Sequence, residues 1–223
     1  MKRKIITTGD GSKTIQIADW DEQYHSKHGA VQEAYHVFIE HGLRLFQNEH
    51  IKLLEIGFGT GLNALITLLE APKQQLSIDY VGVEAFPVSI EEVKELDYCT
   101  QLGVEAKESI FLNMHRVAWE EAVSLTSQFS LLKQKKDFKD IDQQNLFNLI
   151  YFDAFGARVQ PELWTENIFL KMYQVLKEGG VLVTYSAKGS VRRSMQAVGF
   201  IVERLPGPPG KREMLRATKP KNY

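Results

Sequence analysis

The chain has 223 residues, 43% hydrophobic and 25% charged, with a formal net charge of −1, which is ordinary globular composition and room for one full core. No stretch approaches ~18 consecutive apolar residues, and the basic start "MKRKIITTGDGSKT" lacks the apolar run of a secretory signal, so neither a membrane span nor export is expected. Cys99 is the only cysteine, which excludes an intrachain disulfide and fits a reducing, cytoplasmic setting.

In chain order, "KIITTGDGSKTIQIAD" reads as a hairpin turning at Asp10-Gly11, and "GAVQEAYHVFIEHGLRLF" as a helix with a break at Gly42. Residues 1–50 are therefore expected to form an extension packed on a main domain of residues 51–223. Strands are predicted at "IKLLEIG", "SIDYVGVEA", "FLNMHRVAW", "LFNLIYFD" and "GVLVTYSA", with helices at 62–70, 89–96, 120–135, 166–176 and 190–198. Apolar strands alternating with amphipathic helices predict an α/β fold, a doubly wound, mostly parallel sheet. "FIVERL" and "REMLRAT", joined by a Pro/Gly turn, should add an antiparallel C-terminal hairpin.

The segment "LLEIGFGTGLN" places Glu55, Gly57, Gly59, Gly61 and Asn63 at the first strand-to-helix turn, where backbone amides approach a ligand. Leu62 stands where a dinucleotide fingerprint needs its third glycine, which disfavours a nicotinamide oxidoreductase. Glu84 ends the second strand, where a carboxylate grips ribose hydroxyls. An acid beside the glycines suits a cationic cofactor and repels a pyrophosphate. This combination resembles class I S-adenosylmethionine methyltransferases, which implies S-adenosylmethionine as cofactor. Trp119, at the end of the predicted third strand, is either a ring stacked on the adenine or a core residue.

The fourth strand ends "NLIYFDAFGARVQPELW", bringing Asp153 to the edge of the sheet where open α/β folds bind ligands. An alkylammonium has no free lone pair, so a carboxylate able to accept its proton suits N-methylation; the alternative role is a turn or helix cap. Phe155 is placed to pack a flat substrate. Trp164 is expected to pack the loop.

Five stretches, "YHSKHGAVQEAYHVFIEHGL", "LEIGFGTGLNAL", "DAFGARVQPELWTENIF", "AKGSVRRSMQAVGF" and "GKREML", resemble the methyltransferase domain of the MnmC family of tRNA wobble-uridine modification enzymes. The resemblance implies methylation of a 5-aminomethyl group on the wobble uridine or its 2-thio form in the tRNA anticodon loop. It also implies cofactor contacts from Gly57, Gly59, Gly61 and Glu84, with Asp153 facing the amine. Many family members carry a fused FAD-dependent oxidoreductase; the chain ends at Tyr223, so that step is expected to be absent or to belong to a separate protein. Where the family often has a lysine, this chain has Val159, preceded by Arg158.

Tyr24 and Glu33 lie in a family-like segment that either covers the substrate or is structural. Arg192, Arg193, Lys211 and Arg212 are expected to meet RNA phosphates, because the segment from Lys188 onward carries nine Lys or Arg against two Glu. The histidines, His25 and His28 among them, show no spacing of a metal site, and no metal is expected. The competing readings are a small-molecule N-methyltransferase or aminopropyltransferase on the same fold, and a non-catalytic RNA-binding module.

Overall fold

The computed structural model describes residues 2–25 and 29–221. The chain opens with β1 (Arg3–Thr7) and β2 (Lys13–Ile17), antiparallel across the Asp10-Gly11 turn, with β3 (Glu22–Gln23) added at the edge. Next comes α1 (Ala30–Ala34), which widens into a π-helical turn over Tyr35–Glu40.

The main sheet begins with β4 (His50–Ile56), followed by α2 (Leu62–Glu70) and β5 (Ser77–Val83). Three helices follow, α3 (Ile90–Lys94), α4 (Tyr98–Gln101) and α5 (Glu108–Arg116). Then come β6 (Ala122–Thr126) and β7 (Phe129–Gln134), β8 (Phe147–Phe152), α6 (Glu166–Val175) and β9 (Leu176–Thr184). The chain closes with α7 (Gly189–Ala197), β10 (Ile201–Pro206) and β11 (Glu213–Thr218). The sheet order is β10-β11-β9-β8-β4-β5-β7-β6. Its five inner strands, β9, β8, β4, β5 and β7, are parallel, and the C-terminal hairpin and β6 run antiparallel at the two edges.

Strand parity divides the core. Leu53, Tyr80, Tyr151 and Val183 face one layer, with α2, α5 and the N-terminal helix; Val37 and Phe38 of that helix share this layer. Leu54, Ile56, Phe152 and Leu182 face the other, against Phe169 and Met172 of α6 and Val191 and Met195 of α7. The first fifty residues thus bury their apolar face in the core of the main sheet.

Two predicted elements exchange places. "FLNMHRVAW" is not a strand: its first six residues lie in α5, where Phe111 and Met114 are buried three residues apart while Asn113 and Arg116 are exposed. Residues 120–135 are not a helix but the β6–β7 hairpin. Phe129, Leu131 and Lys133 are buried at spacing two, so β7 is the true third strand beside β5.

Candidate active site

The C-terminal ends of the parallel strands open into a cleft of about 1040 Å³. Its floor is the turn after β4. Gly57 has φ of +90° and a Cβ there would lie 2.7 Å from the Asp153 carbonyl oxygen; Gly59 has φ of +49° and its Cβ would meet the Tyr24 ring at 2.9 Å. Only glycine lets this turn pass so close to its neighbours. Both glycines line the cleft, whereas Gly61 immediately precedes α2 as its N-cap, on the side facing His115.

Glu84 sits beside them, 8% exposed. Its Oε2 accepts from the Gly59 amide at 3.1 Å and its Oε1 from the Phe86 amide at 2.9 Å. Held this way, the carboxylate still has lone pairs to offer hydroxyl donors, so the glycine turn and Glu84 fit a nucleoside-bearing cofactor.

Strand parity takes Glu55 elsewhere. It points with Leu53 and Tyr80 to the layer beneath α2, not into the cleft. Its Oε2 accepts from Tyr80 Oη at 2.8 Å and its Oε1 from Asn63 Nδ2 at 2.9 Å. Burial pushes its carboxyl well above the usual range against the pull of those two donors, with the charges of Asp153 and Glu84 adding to the rise. Asn63, in the first turn of α2, also donates from Nδ2 to Asp153 Oδ2 at 2.8 Å. Glu55 and Asn63, expected at the cofactor, are absent from the lining of the large cleft but share a small cavity with Gly57, Gly59 and Asp153, and their hydrogen bonds join the glycine turn to Asp153.

Asp153 follows β8, its amide donating to the Ile56 carbonyl at 2.9 Å, and its side chain lines the cleft. Burial pushes its carboxyl up to about 7, helped by the charge of Glu33, while the Asn63 hydrogen bond and Lys211 pull it down. A carboxyl titrating there is suited to accept a proton at neutral pH.

An aromatic wall faces Asp153. Phe155 packs edge-on against Tyr24, centroids 4.9 Å apart, and against Trp20, 5.6 Å apart. Trp164, buried beneath, donates from Nε1 to the Phe155 carbonyl at 2.8 Å and so fixes the loop. Arg158 pairs with Glu22 and donates to the Trp20 carbonyl at 3.3 Å, tying this loop to the N-terminal strands. Lys211 and Glu33 form an ion pair inside the cleft.

Of the expected site residues, Tyr24, Glu33, Gly57, Gly59, Glu84, Asp153, Phe155, Arg158 and Lys211 line this cleft. Trp119 does not: α5 and the following bend carry it away, and its ring packs on Lys133 Nζ at 4.7 Å. Arg192, Arg193 and Arg212 also lie outside the lining. The C-terminal charge surplus is partly consumed by structure. Arg216 pairs with Glu203, Arg204 with Glu213, and Lys219 is buried against Asn145 and the Leu176 carbonyl. His25 lines the cleft and hydrogen-bonds Thr14 at 2.9 Å; His28 lies outside the described residues. Trp20, Phe86, Phe138 and Tyr185 were not anticipated. Phe86 was detectable as the aromatic two places after Glu84, and Phe138 follows the true third strand.

A family model described as S-adenosyl-L-methionine-dependent methyltransferase matches residues 96–220. The tRNA 5-methylaminomethyl-2-thiouridine biosynthesis bifunctional protein MnmC of Hydrogenovibrio crunogenus is 27% identical across 96% of this chain and 33% of its own length. The protein of the same name from Aromatoleum aromaticum is 31% identical, over 96% of this chain and 35% of its own. The chain spans about a third of the length of these curated relatives. The crystal structure of MNMC2 from Aquifex aeolicus superposes with a TM-score of 0.77 at 25% identity, covering 99% of this chain and 73% of that one. Spermidine synthase from Thermotoga maritima, with a TM-score of 0.58 at 14% identity over 100% of this chain and 72% of its own, shares the fold alone.

Proposed function

The chain belongs to the S-adenosyl-L-methionine-dependent methyltransferase family, in the group formed by the methyltransferase part of the MnmC proteins, and from that premise we propose its substrate and site residues. It methylates the amine of 5-aminomethyl-uridine, or its 2-thio form, at the wobble position of tRNA, giving the 5-methylaminomethyl nucleoside. The observation that carries this reading is Asp153, a carboxyl titrating near 7, set between the glycine turn and a wall of three aromatic rings.

S-adenosylmethionine supplies a methyl group on a sulfonium. Gly57 and Gly59 admit it close to the backbone, and Glu84 accepts from its ribose hydroxyls. Phe86 and Phe138, both in the cleft lining, replace Trp119 as the rings beside the adenine. Trp20, Tyr24 and Phe155 hold the flat uracil, a role that favours a base already splayed from its stack, as in an anticodon loop. The substrate ammonium gives its proton to Asp153, whose Oδ1 is left for it because Asn63 occupies Oδ2. The neutral amine is then held in line for transfer, and that alignment supplies much of the rate.

Nucleoside analysis of tRNA from cells lacking the protein tests the reading. Accumulation of unmethylated 5-aminomethyl-uridine, reversed by restoring the gene, is expected. An unchanged nucleoside profile refutes it.

A further inference from the structure

The charged groups around Asp153 share one ligand chemistry. Lys211, from the turn before β11, reaches into the cleft, where its Nζ donates to Glu33 Oε1 on α1 and lies 4.1 Å from the centre of the Tyr185 ring. Tyr185, just past β9, donates from Oη to the Ala154 carbonyl at 2.8 Å, which fixes its ring one residue from Asp153. Two carboxylates and an aromatic face are the groups that hold an alkylammonium ion. The cation now among them is the protein's own.

We propose that Glu33, Asp153 and Tyr185 form a subsite for the alkylammonium group of the substrate, and that Lys211 is a resident stand-in which the substrate amine displaces. This rests on the amine-methylation reading above and names how the amine is recognised.

Three features support it. Glu33 is only 7% exposed, and a carboxylate so placed needs a cation; its charge also reaches Asp153, where it opposes ionisation. Exchanging one ammonium for another keeps the charge of the Lys211–Glu33 pair, whereas a neutral substituent would take the place of Lys211 without restoring that charge. The subsite therefore selects amines. Lys211 is also free to leave, because it follows the Pro/Gly turn 206–210 and its side chain stays 31% exposed. Among the described residues, Lys211 is the cation whose charge bears on Asp153; of the other groups around it, Asn63 comes from α2, Glu55 from β4, Tyr80 from β5, Glu33 from α1 and Tyr185 from the end of β9. Once displaced, the Lys211 ammonium lies at the rim, where a polyanionic substrate brings phosphates.

The test is calorimetric titration with the nucleoside 5-aminomethyl-uridine and, as an amine-free control, uridine. Lys211→Met keeps the apolar stem and vacates the subsite. It should bind the aminomethyl nucleoside about tenfold more tightly than wild type, on the order of one charge-assisted hydrogen bond no longer competed for, with uridine unchanged. Glu33→Gln should erase the preference for the amine over uridine. Equal or weaker binding of the aminomethyl nucleoside by Lys211→Met overturns the proposal. If that variant does not fold, Glu33→Gln decides, and a preference equal to wild type overturns it. Tightening in Lys211→Met, combined with tRNA whose wobble amine goes unmethylated, keeps the subsite and rejects the tRNA reading. A methylated wobble amine without tightening does the reverse.

Discussion

Asn63 holds Asp153 by a 2.8 Å hydrogen bond from Nδ2 to Oδ2, and the same nitrogen donates to Glu55 at 2.9 Å. One amide therefore stands between two carboxyls that would otherwise repel each other, at the N-terminal turn of α2, where the helix dipole also favours negative charge. Asn63→Leu removes the donor that stabilises ionised Asp153. The acidic limb of the pH–rate profile should move upward by about one pH unit, the worth of one hydrogen bond to a charged group. A profile that keeps its midpoint would show that Asn63 does not set the ionisation of Asp153.

Asp153→Asn should lower turnover by ~10²–10⁴-fold, the range of a general base, with the defect shrinking at high pH as solvent supplies more neutral amine. Stability should change in the opposite sense. The folded carboxyl titrates at about 7 against 3.8 for the free group, so between those values the folded state holds a proton that the unfolded state releases. Stability of the wild type therefore falls as pH rises from about 4 to 7 and levels above. The side chain is partly open to the cleft, so up to about 2 kcal/mol is expected of the ~4 kcal/mol that the full shift implies. The Asn variant lacks this loss and should be more stable than wild type at pH 8, by denaturant unfolding. Equal pH dependence in both proteins would contradict the raised carboxyl.

Glu84→Ala should weaken S-adenosylmethionine binding by about 1.5–3 kcal/mol. Glu84→Gln should rescue little of this. Both carboxylate oxygens accept backbone amides, from Gly59 and Phe86, and a glutamine amide nitrogen would face one of them donor to donor. Near-wild-type affinity in the Gln variant, by calorimetry, would mean that Glu84 acts only by filling space.

The alternation of strands and helices was legible in the sequence wherever apolar runs were uniform, as in β4, β5, β8 and β9. It failed at the third strand, because a lysine occupies the third buried place in Phe129, Leu131, Lys133 and hides the period of two. Lys133 tolerates that place by donating to the His115 carbonyl at 2.7 Å and lying against Trp119, and burial pulls its pKa down to about 8. The places of Gly57, Gly59, Glu84 and Asp153 at the cleft were readable from position alone, since strand ends fix where they emerge. The direction of Glu55 was not, because it depends on which face of β4 α2 covers. Nor was the Lys211–Glu33 pair, whose partners are 178 residues apart and meet only when the C-terminal hairpin closes over the N-terminal helix.

That pair also changes which cations test the RNA interface. Lys211 was expected among the phosphate contacts but is engaged inside the cleft, whereas Arg193, on the first turns of α7, and Arg212, beside β11, are exposed and carry no ion pair among the described residues. Lys188, immediately before α7, lines the cleft and links that helix to the site. If tRNA crosses this rim with its wobble base turned in, Arg193 and Arg212 should meet its backbone. Each phosphate contact contributes close to one unit to the slope of log affinity against log salt. Arg193→Ala with Arg212→Ala should therefore flatten that slope by about two units and weaken tRNA binding most at low salt. S-adenosylmethionine affinity should hold, because neither residue lines the cleft. Binding of the free 5-aminomethyl nucleoside should hold as well, which separates loss of the RNA footprint from damage to the amine subsite. A double variant that binds tRNA with the wild-type slope would place the backbone on another face of the molecule.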